Sequence, residues 1–88
     1  MRVREITAAE IEAFQDEGVA FLPGLVDKVT VDVLRAAAER RAAAPSAHSD
    51  ELSREGRFLS DQFLHEDMEE FRDFAFQTRI AQNAARAM

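Results

Sequence analysis

Residues 6–24 read ITAAEIEAFQDEGVAFLPG, and this stretch carries a complete set of helix-start and helix-stop signals. Thr7 is a good N-cap, and Glu10 follows three residues later, which is the spacing of a capping box. Gly18 supplies the left-handed residue with which many helices end. The pattern therefore predicts a first helix over Ala8–Glu17.

The segment Val19–Leu22 is short, apolar and rich in residues that favour strands, and Pro23 and Gly24 close it with a turn. We expect a short strand here. Because a four-residue strand is not stable alone, this segment needs a sheet to join.

A second helix is predicted over Lys28–Ala43, with Asp27 as its N-cap and Pro45 as its stop signal. Its expected core-facing stripe consists of Val31, Leu34 and Ala38. The polar residues 45–56 that follow predict a loop, with one helical turn near Glu51 to Arg54.

Residues 58–64 return to apolar character and indicate a strand or an extended coil. Asp67 and Glu70 form a second capping box, which predicts a helix from there to about Phe76. The side chains expected to face inward from this helix are Phe71, Phe74 and Ala75. Thr78 is the expected cap of a last helix, whose stripe consists of Ile80, Ala84 and Ala87.

The last predicted helix runs to Met88 without the Gly, Asn or Pro that usually follows a helix end. Five of the seven phenylalanines lie in residues 56–88. We therefore expect residues 1–88 to be the N-terminal helical portion of a larger single domain. The side chains expected to need cover, from the rest of a core or from a partner chain, are Phe63, Phe71, Phe74 and Ile80.

Composition excludes several classes of function. The net charge is −6, which argues against a broad surface for nucleic acid or for anionic membranes. No apolar run approaches the roughly 20 residues of a membrane span. The chain contains no cysteine, so disulfides and thiolate metal sites are excluded, and a cytoplasmic location is expected.

The sharpest chemical motif is His65-Glu66-Asp67, because His-x-Asp is part of the two-His-one-carboxylate triad of non-haem iron enzymes. The only other histidine is His48, in the predicted loop. The acidic run 66–70 could also bind a hard cation through its carboxylates. We favour the simpler interpretation of a solvated, acidic helix start with Asp67 as cap. The sequence therefore predicts no catalytic, cofactor-binding or metal-binding residue in this chain.

The order of these segments resembles the N-terminal part of phytanoyl-CoA dioxygenase-like proteins. The resemblance is carried by residues 6–14, 16–27, 31 and 34–37, then by 56–64, 71–75 and 80–88. Taken singly, each segment has little specificity. Their order and spacing together carry the likeness, which covers nearly the whole chain.

The resemblance implies an oxidoreductase that uses Fe(II), O₂ and 2-oxoglutarate to hydroxylate a small molecule. It implies an α+β fold, mostly helical in this chain, whose helices and short strand flank a double-stranded β-helix, or jelly-roll, core. The family's iron ligands lie on that core, after the part that residues 81–88 resemble. No family catalytic residue therefore maps onto this chain, which would be inactive alone. The alternative is a stand-alone helical module that binds a partner protein.

Overall fold

The computed structural model describes residues 1–44, 50–51 and 59–88, and these residues form a mostly helical fold. The helices are α1 (Ala8–Glu17), α2 (Lys28–Ala43), α3 (Leu64–Asp67), α4 (Glu69–Gln77) and α5 (Ile80–Ala87). Two short strands, β1 (Asp50–Glu51) and β2 (Leu59–Ser60), pair antiparallel. Helix α1 packs on α5, and α4 contacts α2, α3 and α5.

Helix α1 has the predicted bounds and the predicted caps. The Thr7 hydroxyl accepts the Glu10 N–H at 3.2 Å, and the Glu10 carboxylate accepts the Thr7 N–H at 2.9 Å. Gly18 adopts φ 76° and its N–H donates to the Phe14 carbonyl at 2.7 Å. Local hydrogen bonds thus define both ends of this helix.

Helix α2 also has the predicted bounds, but the predicted stripe of Val31, Leu34 and Ala38 is wrong at Val31 and Ala38, and only Leu34 is partly buried. Its fully buried side chains are Thr30 and Ala37, whereas Val31 and Ala38 are exposed. The buried face of α2 differs from the predicted one, because the N-terminal segment and α4 contact the helix and determine which side is covered. The Arg2 N–H, for example, donates to the Thr30 hydroxyl at 2.6 Å.

The segment Val19–Leu22 has no regular secondary structure, so the predicted strand does not form in this chain. The turn after it is as expected. The Leu25 N–H donates to the Leu22 carbonyl at 3.2 Å, and Gly24 takes φ 66°. A strand requires a partner edge, and the described residues offer none to this segment.

The N-terminal residues form a backbone pairing with the segment before α2, which the sequence did not indicate. Val3 and Val26 make an isolated antiparallel bridge, and the Arg4 N–H donates to the Leu25 carbonyl at 2.8 Å. Val3 and Ile6 are both buried. The N-terminus is thereby fixed along the segment that links α1 to α2.

The predicted cap at Asp67 is wrong, because residues 64–67 form a helical turn of their own, α3. Helix α4 instead begins after Met68, whose side chain makes no capping hydrogen bond. The predicted end near Phe76 is close to the observed Gln77. Strand β2 agrees with the apolar pattern of 58–64, whereas β1 lies in the predicted loop. The remaining predictions for 45–49 and 52–58 fall outside the described residues.

In α5, Ile80 and Ala87 of the predicted stripe are partly buried, but Ala84 is exposed. The most buried residue of this helix is Asn83, at 4% exposure. The predicted cap at Thr78 is wrong, because the N-cap of α5 is Arg79, whose side chain makes no capping hydrogen bond. The Thr78 hydroxyl still accepts the Ile80 N–H at 3.3 Å.

The core of the described residues is thin. Its buried apolar side chains are Val3, Ile6, Ala37 and Met68. The Cα radius of gyration is 15.5 Å, whereas a compact domain of this length has about 12 Å. Much apolar surface therefore remains without cover. None of the described helices combines the length and the apolar character that crossing a bilayer requires.

Candidate functional site

An apolar cleft of about 400 Å³ lies between α1, residues 18–25 and α5. We call it the α1–α5 cleft. Its main apolar walls are formed by Ile6, Phe14, Leu22, Leu25, Ile80 and Ala87. The volume falls within the range of pockets that bind small ligands or the side chains of a partner.

The segment Val19–Leu22 forms one rim of this cleft. Val19 is 65% exposed and Phe21 is 85% exposed, so two large apolar side chains that lie two residues apart are left without cover. Within the described part of the chain, the backbone of these four residues makes one hydrogen bond, from the Leu25 N–H to the Leu22 carbonyl. The rim therefore offers apolar side chains together with free backbone donors and acceptors.

Arg4 fixes the position of this rim against α1. Its guanidinium donates to both carboxylate oxygens of Glu10, at 2.8 Å and 2.7 Å. The same group donates to the Pro23 carbonyl at 2.8 Å. The turn that follows residues 19–22 is thus tied to the first turn of α1 through one side chain.

Asn83 fixes α5 against the N-terminal segment. Its Oδ1 accepts the Ile6 N–H at 3.1 Å, and its Nδ2 donates to the Arg4 carbonyl at 2.8 Å. Arg86, one turn later, pairs with Glu5 at 2.9 Å. Sequence reasoning missed Asn83, and the one available signal was a polar residue between Ile80 and Ala87 on an otherwise apolar face.

The polar side chains that line the cleft, Glu10 and Asn83, are both occupied by partners of this chain. They therefore have no free role as acid, base or ligand. What the cleft offers is apolar contact and unpaired backbone. This chemistry suits the docking of another polypeptide segment.

The hydrogen bonds of Glu10 predict a loss of stability in acid. The Arg4 guanidinium, together with the Thr7 N–H, lowers the pKa of Glu10 to about 2. Since the unfolded chain then binds more protons, stability contributed by Glu10 is present above the ordinary glutamate pKa of about 4.3 and is lost as the pH falls toward 2. The thermal midpoint should fall over this window, and it should fall less in Glu10→Gln.

Glu12→Gln is the matched control, because Glu12 is exposed on the same helix and makes no ion pair with described residues. Its acid dependence should equal that of the original chain. In Glu10→Gln, part of the decrease in stability with falling pH should persist, because hydrogen bonds from Thr30 lower the pKa of Asp27 as well. If Glu10→Gln and Glu12→Gln lose stability identically in acid, the role assigned to Glu10 is wrong.

The acidic run 66–70 faces two arginines of α2. The Arg41 guanidinium is 2.8 Å from the Asp67 carboxylate and 3.9 Å from that of Asp61. Arg40 pairs with Glu70, whose pKa is lowered by a backbone hydrogen bond and by this guanidinium. The ion pairs hold α3 and α4 on α2, so these carboxylates already have cations of this chain as partners.

The described residues do not fit an iron site. His65 is exposed, and its ring meets that of Phe76 edge-on at a centroid distance of 6.2 Å. Asp67 is engaged by Arg41. Among the residues that the structure describes, no group of three His, Cys, Asp or Glu side chains is placed to hold a metal ion. His48 lies outside them.

The side chains predicted to need cover are placed differently from one another. Phe63 is exposed and holds a left-handed backbone conformation at φ 60°. Phe71 and Phe74 are partly buried within this chain, and Ile80 lies in the cleft wall. Phe21, which is 85% exposed in the segment Val19–Leu22, was not among those predicted.

The comparisons with known proteins return no relative. No family model, no curated protein and no solved structure matches the chain.

Proposed function

We propose that this chain is the N-terminal helical layer of a phytanoyl-CoA dioxygenase-like oxidoreductase. The complete enzyme would use Fe(II), O₂ and 2-oxoglutarate to hydroxylate a small molecule in the cytoplasm. In this proposal the helices support a double-stranded β-helix core, and Val19–Leu22 joins a sheet of that core as a strand. The chain alone is inactive.

The observation that carries this proposal is the open edge of the α1–α5 cleft. An exposed apolar segment with unpaired backbone beside an uncovered apolar cleft suits the addition of a strand, which would cover the apolar side chains and pair the backbone groups that it buries. The thin core of the described residues supports the same conclusion. The order of sequence segments that resembles the family supplies the identity of the missing partner.

Under this proposal, neither the iron nor the 2-oxoglutarate binds to this chain. Beside the His65 motif, the Asp67 and Glu70 carboxylates are paired with arginines, and no group of three possible ligands is found among the described residues. The proposal therefore assigns these groups to the β-core. The contribution of this chain is to bury the outer face of that core and to hold its edge.

The first test is the coding sequence that follows Met88. We expect an open frame that continues into strand-rich sequence with a His-x-Asp motif and a later histidine. A stop codon directly after Met88, together with a folded monomer by NMR, would contradict the proposal for this polypeptide.

The second test is a titration of the purified chain with Fe(II) and with 2-oxoglutarate, in which calorimetry measures the binding. We expect no stoichiometric binding of either, because the described residues present no ligand set. His65→Ala serves as the matched variant and should behave identically. A tight one-to-one Fe(II) site that His65→Ala abolishes would show that the iron motif was wrongly set aside.

The alternative is a stand-alone helical module that binds a partner protein. Exposed aromatic side chains at Phe63 and Phe76 favour it, because such residues often anchor interfaces. In this case Phe63, Phe71, Phe74 and Ile80 would contact the partner. The stop codon and folded monomer described above would be the expected result for this alternative.

A further inference from the structure

The last turn of α1 carries two acidic side chains directly before the unpaired segment 19–22. Asp16 and Glu17 are exposed, and this turn contains no basic residue. Negative charge there is unfavourable, because the carboxyl end of a helix is itself negative. Within the described part of the chain, neither carboxylate forms an ion pair. Two uncompensated charges therefore adjoin the open rim of the α1–α5 cleft.

We propose that the strand which pairs with Val19–Leu22 carries a lysine or arginine beside its apolar residues, and that this cation contacts Asp16 and Glu17. The inference rests on the proposed function, because it takes the strand to belong to the β-core that the helices support. It adds the charge of the partner, which neither the fold nor the resemblance specifies.

Three features of the rim select this occupant. The free backbone groups of residues 19–22 favour an extended partner over a helix, because a helix satisfies its own backbone hydrogen bonds and would leave these groups unpaired. The apolar walls require apolar side chains on one face of that partner. Asp16 and Glu17 then favour a cation at one end and repel an acidic strand.

The test uses the whole chain and a short fluorescent peptide that alternates valine and threonine and has lysine at both ends. A twin peptide carries glutamate in place of lysine. Fluorescence anisotropy at low salt should show saturable binding of the lysine peptide, between about three and ten times tighter than its twin, as expected for exposed ion pairs. The preference should vanish in about 1 M salt, where the screening length is near 3 Å.

The double variant Asp16→Lys with Glu17→Lys should reverse the preference. Glu39→Lys is the matched control, because Glu39 is an exposed acid of α2, a helix that contributes no residue to the cleft; it should keep the preference for the lysine peptide. Circular dichroism establishes that each variant retains the helical content of the original chain. If the double variant does not fold, the inference is tested by the salt dependence of the peptide preference, measured with the original chain.

Three results would overturn the inference: no saturable binding, equal binding of the two peptides, or an unchanged preference in the folded double variant. The failure of the proposed function has a different signature. A stop codon after Met88 would remove the oxygenase role and leave the measured peptide preference as it stands.

Discussion

Asn83→Leu should lower the free energy of unfolding by about 3 kcal/mol, since a buried donor or acceptor left without a partner costs roughly 1–3 kcal/mol. The substitution removes the acceptor of the Ile6 N–H and the donor to the Arg4 carbonyl. Both backbone groups lie beside a residue that is 4% exposed, so water cannot readily replace the amide. The loss is large for a domain whose total stability is about 4–13 kcal/mol.

Urea unfolding followed by circular dichroism measures this effect. Gln82→Leu is the matched control, because Gln82 is exposed on the same helix, and its effect should stay within about 0.5 kcal/mol. Equal effects of the two substitutions would show that Asn83 does not join α5 to the N-terminal segment.

Asn83→Asp separates the two hydrogen bonds. The aspartate keeps the acceptor for the Ile6 N–H, but its ionised form cannot donate to the Arg4 carbonyl. Burial beside a carbonyl oxygen favours the protonated form and raises the pKa of the new carboxyl in the folded state. The stability gap to the original chain should therefore narrow as the pH is lowered, because a raised folded-state pKa contributes stability only in acid.

Arg41→Met is expected to produce the second large effect, a loss of about 3 kcal/mol. The Arg41 side chain is 13% exposed, and the Asp61 carboxylate 3.9 Å away is 8% exposed. Removing one member of a buried pair costs roughly 3–5 kcal/mol, and the length of this contact places the effect at the lower end. Methionine retains the apolar stem, so the measurement reports mainly the charge.

Arg40→Met is the natural comparison, since Arg40 is the preceding residue of α2. Its side chain is 58% exposed and pairs with Glu70. The cost of losing this exposed pair should stay below about 1 kcal/mol. Thermal or urea unfolding of both variants measures the two losses of stability, which can then be compared directly. Similar losses in both would mean that α3 and α4 are not held on α2 chiefly through Arg41.

The elements predicted correctly are those whose signals are local. Helix α1 follows from Thr7, Glu10 and Gly18, which all lie within or next to it. Helix α2 likewise begins after Asp27, whose carboxylate accepts the Thr30 N–H at 2.9 Å. Capping hydrogen bonds span three or four residues, so the sequence pattern and the structure report the same interaction.

The errors arise where distant segments decide the outcome. The face of α2 is set by contacts with Arg2 and with α4, so Thr30 and Ala37 are buried and Val31 is not. The Asp67 carboxylate pairs with Arg41 of α2 instead of capping α4. No pattern of neighbouring residues contains this information.

The candidate site was only half predictable. The apolar, strand-prone character of Val19–Leu22 is visible in the sequence, and so is its need for a partner. Asn83 bonds to residues 77 and 79 positions away, and nothing in the sequence pairs them. This contact, together with the Arg86–Glu5 pair and the packing of α1 on α5, places α5 opposite α1 and so forms the cleft.

Amide hydrogen exchange of the chain, followed by NMR, tests the central claim that Val19–Leu22 is an open edge awaiting a strand. In the free chain, the amides of these four residues should exchange nearly as fast as in an unstructured peptide. The Ile6 amide, bonded to Asn83, should exchange at least about a hundredfold more slowly, as for an opening free energy near 3 kcal/mol. Adding the lysine peptide should slow exchange within residues 19–22. Strong protection of these amides in the free chain would contradict the account, because it would show that the edge already has its partner.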